Sequence, residues 1–195
     1  MRSSLVLALL ALAACASDPD TPSDDVAVPP IAPAPSGPER AVAHIDSVGG
    51  SGLSGTVRFT SLGDAVEVRY DIDGFTSDGP HGFHVHQTGD CGADSTGAPA
   101  SAAGGHFNPL SSEHGAPTAA RTDRHAGDLS NIVVENGRAL GTVVDSVLTF
   151  SGPTALLGKA VVVHQGEDDL TTQPSGDAGD RIGCGVIRLD EPAAE

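Results

Sequence analysis

Val66-Glu67-Val68-Arg69-Tyr70 alternates apolar with polar side chains, the pattern of an antiparallel strand with one face buried and one in water. Outward from it, strand-like runs recur at Val42–Val48, Thr56–Thr60, Ala65–Ile72, Gly82–Gln87, Ile132–Val134, Val147–Ser151, Ala160–His164 and Val186–Leu189. Turn-forming pairs such as Asp73-Gly74 and Asn136-Gly137 separate them. Helical periodicity is nearly absent. Short strands at this spacing predict an all-β domain, a Greek-key β-barrel or sandwich of about eight antiparallel strands. Two long irregular stretches, roughly 88–130 and 165–181, interrupt the strands. Loops of that length inside a compact domain are usually functional.

Six of the eight histidines fall in or beside these features: His84 and His86, His106, His114, His125 and His164. Imidazole is the commonest protein ligand for copper and zinc near neutral pH. His84 and His86 are two apart, so on a strand both rings project from one face. His125 and Asp128 are three apart on a turn, where a loop can fold both onto one ion. A single histidine is usually a surface or capping residue. Six together in a glycine-rich context predict metal binding, with more than one ion. His106, His114, His125 and Asp128 sit on the first long loop, where an ion would order what propensity leaves loose. His84, His86 and His164 sit on strands, which set geometry more sharply.

Five motifs carry a resemblance, in order along the chain. His84-Val85-His86, Gly104-Gly105-His106-Phe107-Asn108-Pro109, His125-Ala126-Gly127-Asp128-Leu129, Val162-Val163-His164 and Arg181-Ile182-Gly183-Cys184-Gly185-Val186-Ile187 resemble the copper/zinc superoxide dismutase signature. The resemblance spans about residues 40 to 190 and itself implies the sandwich or barrel fold. It implies that His84, His86, His106 and His164 bind copper. It also implies that His106, His114, His125 and Asp128 bind zinc, with His106 shared. Asp168 would bridge His84 and His114, fixing both rings from behind. Arg181 would stand beside the copper and offer its guanidinium to the anionic substrate. His106 and Arg181 are then the catalytic residues. His44 and His81 match no ligand position and are read as ordinary histidines.

The implied activity is disproportionation of superoxide to oxygen and hydrogen peroxide by a redox-cycling copper beside a zinc-organised site. The rival reading is a non-catalytic copper-buffering envelope lipoprotein; the zinc set and Arg181, which a buffer does not need, speak against it. Two features depart from the family's habit. Asp180 precedes Arg181 where a small or neutral residue is usual, and the loop before it is short and lacks lysine.

The N-terminus carries its own message. Arg2 precedes an apolar run from Leu5 to Ala14, too short to span a bilayer but right for a signal peptide. Leu12-Ala13-Ala14-Cys15 resembles a bacterial lipoprotein box. Residues 1–14 therefore read as a lipoprotein signal peptide, with Cys15 as the acylated residue. Acyl chains contribute roughly 0.8 kcal/mol per buried methylene, so several anchor stably. Residues 16–39 are rich in Pro, Asp, Ser and Ala and poor in bulky apolar groups, which predicts a disordered tether. Residues 40–195 form the superoxide dismutase-like domain. The expected location is a bacterial cell envelope, lipid-anchored to a membrane and facing the periplasm or the exterior.

Of three cysteines, Cys15 is assigned to lipid, which leaves Cys91 and Cys184 as a pair in a disulfide-permissive setting. The resemblance implies the same pairing, tying the first loop to the last strand. The formal charge is −16, and loss of Arg2 with the leader makes it one unit more negative. So acidic a chain excludes nucleic acid as a partner and repels anions at long range. The sequence is compatible with a homodimer.

Overall fold

The computed structural model describes residues 39–190. The signal peptide, Cys15 and all but the last residue of the tether lie outside the described residues. Nine strands follow in order: β1 (Arg40–Ser47), β2 (Ser54–Ser61), β3 (Val66–Asp73), β4 (Gly79–His86), β5 (Asp128–Glu135), β6 (Arg138–Asp145), β7 (Ala160–His164), β8 (Arg181–Val186) and β9 (Arg188–Leu189). Their ladder runs β2-β3-β6-β5-β4-β7-β8-β1, and β1 pairs back with β2. That closes an antiparallel barrel of eight strands, with β9 as a short extension on β1. Closure leaves no long unpaired edge.

Alternation fills the barrel as the sequence predicts over most of its wall. Val66, Val68 and Ile72 of β3 point inward, joined by Ala41, Ala43 and Ile45 of β1, Val57 and Phe59 of β2, and Phe83 and Val85 of β4. Asn136 and Gly137 make the two-residue β5–β6 turn, both left-handed (φ 53° and 76°), as a twisted hairpin requires.

Two strand expectations fail, each for a visible reason. The run Val147–Ser151 is not a strand; it is a buried turn after β6, joined only by an isolated bridge from Thr149 to Ala155. Its apolar side chains are core, but its amides turn away from any ladder: Val147 and Leu148 donate to the Asp145 carboxylate (2.8 and 2.6 Å). The strand that does form there, β6, went unpredicted because its pattern is inverted. Small Ala139 and Gly141 face inward, while Leu140 and Val144 are 68% and 63% exposed. Tyr70 opposite occupies the room, for a Cβ on Gly141 would lie 2.3 Å from its hydroxyl oxygen. At the C-terminus the strand begins at Arg181 rather than Val186. Gly183 and Gly185 conceal it in the sequence, yet both pack against β1 side chains or backbone.

β4 positions the site. It pairs with β5 over its first half and with β7 over its second, with a register irregularity between Gly82 and His84. His84 and His86 therefore leave the barrel on its outer side while Phe83 and Val85 stay in the core. That outer side is covered by the two connections 87–127 and 165–180, which is why every residue from His81 to His86 is buried.

Candidate metal centre

The first connection docks onto β4 through backbone pairing. Val85 N–H donates to Gly127 O, and Phe107 N–H donates to Val85 O (2.9 and 2.8 Å). Only glycine fits at 127, since a Cβ there would lie 2.1 Å from Val85 O. This contact sets His106 beside His86 and brings His125 and Asp128 back to the same spot. The disulfide joins Cys91 to Cys184 with a Cα–Cα distance of 5.7 Å, closing 93 residues. Around it Ala100, Ala103, Ala160 and Val162 form a small second core between the loop and β7–β8.

Two buried donor sets result: His84, His86, His106 and His164, and His106, His114, His125 and Asp128. Within each, the donor atoms lie within 4.8 Å of one another, and His106 belongs to both. One ring nitrogen of each other copper-type histidine is tied down from behind. His84 Nε2 donates to Asp168 Oδ2 (2.7 Å), His86 Nδ1 to Gly104 O (2.8 Å) and His164 Nδ1 to Gly179 O (3.1 Å). An acceptor on one nitrogen leaves the other as a lone pair, the form a metal takes. Those free nitrogens converge: His86 Nε2 and His164 Nε2 are 3.4 Å apart. Among the described residues, the buried side-chain atoms without a partner are His84 Nδ1, His106 Nε2, His114 Nδ1 and Arg124 Nε. The three histidine atoms all belong to the donor sets.

On the other side, Asp128 Oδ1 lies 2.8, 3.1 and 3.2 Å from the Nδ1 atoms of His106, His114 and His125. Its second oxygen is occupied by the backbone N–H groups of Gly115 and His125 (3.1 and 2.9 Å). Asp168 grips both sets, accepting from His84 and, through Oδ1, from His114 Nε2 at 2.9 Å.

Electrostatics separate the halves. Burial pushes His106 down to about 4, although Asp128 pulls the other way. Burial, and then the neighbouring His84, takes His164 down to about 3. Burial also lowers His86 well below its ordinary value, helped by His106, His164 and Arg181. These rings are therefore neutral donors at pH 7. Burial opposes charge on His114 too, but Asp128 and Asp168 outweigh it and raise its value to about 9. Burial likewise works against both carboxylates, yet hydrogen bonds from the histidines hold Asp128 and Asp168 well below the usual carboxylate range. Four imidazole nitrogens suit copper, and three nitrogens with a carboxylate suit tetrahedral zinc.

Arg181, the first residue of β8, is half-buried. Its guanidinium donates to Ala100 O and Gly104 O (2.5 and 2.6 Å), and Gly104 O is also the acceptor for His86. The cation is thus fixed through the same carbonyl that orients a copper-type ligand. Asp180 beside it is exposed.

Sequence reading misses the roles of His81 and Arg124 beside the site. His81 is buried, with Nδ1 donating to the carbonyl of His164 (2.9 Å) and its ring against Phe75 at 5.0 Å. Its odd spacing from His84 and His86 removes it from their face in a regular strand, and nothing flags a backbone role. His44, by contrast, is exposed. Arg124 is 0% exposed; it donates to the carbonyls of His125 and Asp128 (3.1 and 3.2 Å) and pairs with Asp145. A lone loop arginine carries no sequence signal of burial.

Comparison with known proteins agrees with this geometry. The family model for copper/zinc superoxide dismutase matches residues 53–187. The chain is 43% identical over 150 residues to the copper–zinc superoxide dismutase of Saccharomyces cerevisiae, covering 72% of this chain and 93% of the yeast protein. A crystal structure of the clock protein EA4 superposes with a TM-score of 0.68 at 37% identity, covering 78% of this chain and 95% of that one. The chain belongs to the copper/zinc superoxide dismutase family, disproportionates superoxide and uses copper and zinc as its cofactors.

Proposed function

We propose that His84, His86, His106 and His164 hold the copper of this enzyme, that His106, His114, His125 and Asp128 hold its zinc, and that it works in a bacterial cell envelope. The observation that carries the assignment is His106: its Nδ1 lies beside Asp128, while its buried Nε2 has no partner and belongs to the copper-type set. Copper, when bound, supplies the one-electron redox chemistry by which one superoxide leaves as oxygen and a second, with two protons, becomes hydrogen peroxide. His106 Nε2 is the atom placed to hold and deliver one of those protons. Asp128 beside Nδ1 keeps the ring in place and favours the protonated form against burial. Arg181 draws the anion inward over the last few ångströms, its direction set by Ala100 and Gly104. It is close enough to disfavour charge on His86 and His164.

The envelope reading rests on three features. Leu12-Ala13-Ala14-Cys15 resembles a lipoprotein box after an apolar leader, and residues 16–39 have a tether's composition. Twenty-four Pro-rich residues reach up to roughly 70 Å at about 3.1 Å each. The disulfide suits an oxidising compartment. The acidic body is read as solubility in a polyanion-rich surrounding rather than substrate attraction, and a homodimer is compatible with it. The test is Cys15→Ser: the variant should appear in the soluble fraction while the parent stays with membranes through a high-salt wash. A variant that stays with membranes would remove the lipid anchor.

A further inference from the structure

One short stretch of the second loop holds His114 at three points. Its ring Nε2 donates to Asp168 Oδ1 (2.9 Å), its backbone N–H donates to Gln173 Oε1 (2.8 Å), and its carbonyl accepts from Gln173 Nε2 (2.9 Å). None of these bonds belongs to a strand ladder; His114 sits on the first loop and Gln173 on the second, 59 residues later. The Gln173 amide does what a neighbouring strand would do, offering an acceptor and a donor to one residue's N–H and C=O. Asn131 of β5 does the same for Asp168: its Oδ1 accepts from Asp168 N–H (2.8 Å) and its Nδ2 donates to Asp168 O (2.9 Å). A continuous line thus runs from β5 through Asn131, Asp168 and His114 to Gln173. With backbone and Nε2 both fixed, Nδ1 is the atom of His114 left buried without a partner, 3.1 Å from Asp128 Oδ1.

We propose that Gln173 is a positioning residue for the zinc site: by clamping the His114 backbone it sets where Nδ1 points. The proposal rests on reading His106, His114, His125 and Asp128 as the zinc donors. Gln173 itself is exposed, so water can replace each lost bond. The clamp matters because it closes on the backbone of a donor that no ladder holds. Partners behind a metal ligand commonly change affinity by 10- to 100-fold, and an exposed one falls at the low end, about tenfold.

The test compares the full-length parent with Gln173→Ala, Gln173→Glu and Thr172→Ala. Thr172 bonds Asp169 within its own loop, through its backbone N–H and its hydroxyl, and touches no donor. Losing that hydroxyl loosens the same loop without releasing His114. Zinc affinity is read by competition with a chelator in copper-free protein, and site geometry by the visible spectrum of cobalt(II) placed in the zinc site. Both Gln173 variants should weaken zinc about tenfold and alter the cobalt bands. Glutamate should do at least as much harm as alanine, because it sets an oxygen against the His114 carbonyl where the amide donated. Thr172→Ala should match the parent in both readouts. Parent affinity and spectrum in the Gln173 variants, or equal weakening by Thr172→Ala, would overturn the clamp alone. A parent whose zinc binding is unchanged by His125→Ala would overturn the zinc assignment and the clamp together.

Discussion

His84, His86 and His164 stand on β4 and β7, whereas His106, His114 and His125 hang on the 87–127 connection, and Asp128 is the first residue of β5. The strand-borne donors are placed by the ladder: Phe83 to His86 pair in register with Val163 to Ala160. Each then needs one acceptor behind it to fix its tautomer. The loop-borne donors need help at almost every step, from Arg124 and Gly127 within the loop and from Gln173, the Asp168 carboxylate and the Cys91–Cys184 bridge that tie it to the rest. A barrel wall can preform a site, while a loop has to be assembled around its ion. The division suits the chemistry, since zinc keeps one oxidation state and serves structure while copper must cycle in a fixed pocket.

The largest effects should come from removing one donor on each side. His164→Ala should abolish turnover while zinc content stays near the parent's. His125→Ala should lose zinc while copper remains on the strands. Metal analysis of each purified variant beside a dismutation assay makes the comparison. Loss of both ions in equal measure from both variants would break the distinction between wall and loop.

A smaller effect is expected at Arg181, which begins a strand but is held by loop carbonyls. Charge steering acts over about 10 Å at 0.1 M ionic strength and raises on-rates by roughly tenfold to a thousandfold. Arg181→Ala should lower the second-order rate with superoxide by about tenfold, the low end for a single cation, with copper content unchanged. Asp180→Asn should raise it slightly. An Arg181→Ala enzyme as fast as the parent at low salt would exclude the arginine from substrate capture.

The subtlest test reads stability against pH in the metal-free protein. His114 is raised from 6.5 to about 9, so its stabilisation is complete below pH 6.5 and is lost as pH climbs through 9. His106 and His164 are lowered from 6.5 to about 4 and 3, so their share is present above 6.5 and lost as pH falls toward those values. Melting temperature should therefore peak near pH 6.5 to 7 and fall by a few degrees on either side, at roughly 2–4 °C per kcal/mol for a domain of this size. The alkaline limb belongs to His114 on the loop, and the acid limb is shared between His106 on the loop and His164 on the wall. A melting curve that holds level or rises from pH 7 to pH 9 would contradict the pairing of His114 with the two carboxylates.

How far the sequence could be read follows the same line. The strands with large side chains inside and polar ones outside, such as Val66–Tyr70, were legible from alternation alone. β6 was not, because Tyr70 and Ile72 fill the barrel opposite Gly141 and Ala139 and the large residues face water. Nor was the buried turn at Val147, whose apolar content imitates a strand while Asp145 takes its amides. The donor histidines were visible as types at recognisable spacings, and Asp168 and Arg181 through the resemblance. Arg124, His81, Asn131 and Gln173 were not, because each acts on another residue's backbone, and a backbone partner leaves no pattern in side-chain identity.

His106 belongs to both donor sets, and His106→Ala tests that sharing most directly through the copper and zinc content of one purified variant. Both ions should fall together, in contrast to the single losses expected of His164→Ala and His125→Ala. If His106→Ala keeps either ion at the parent's affinity, the two sites do not share this imidazole.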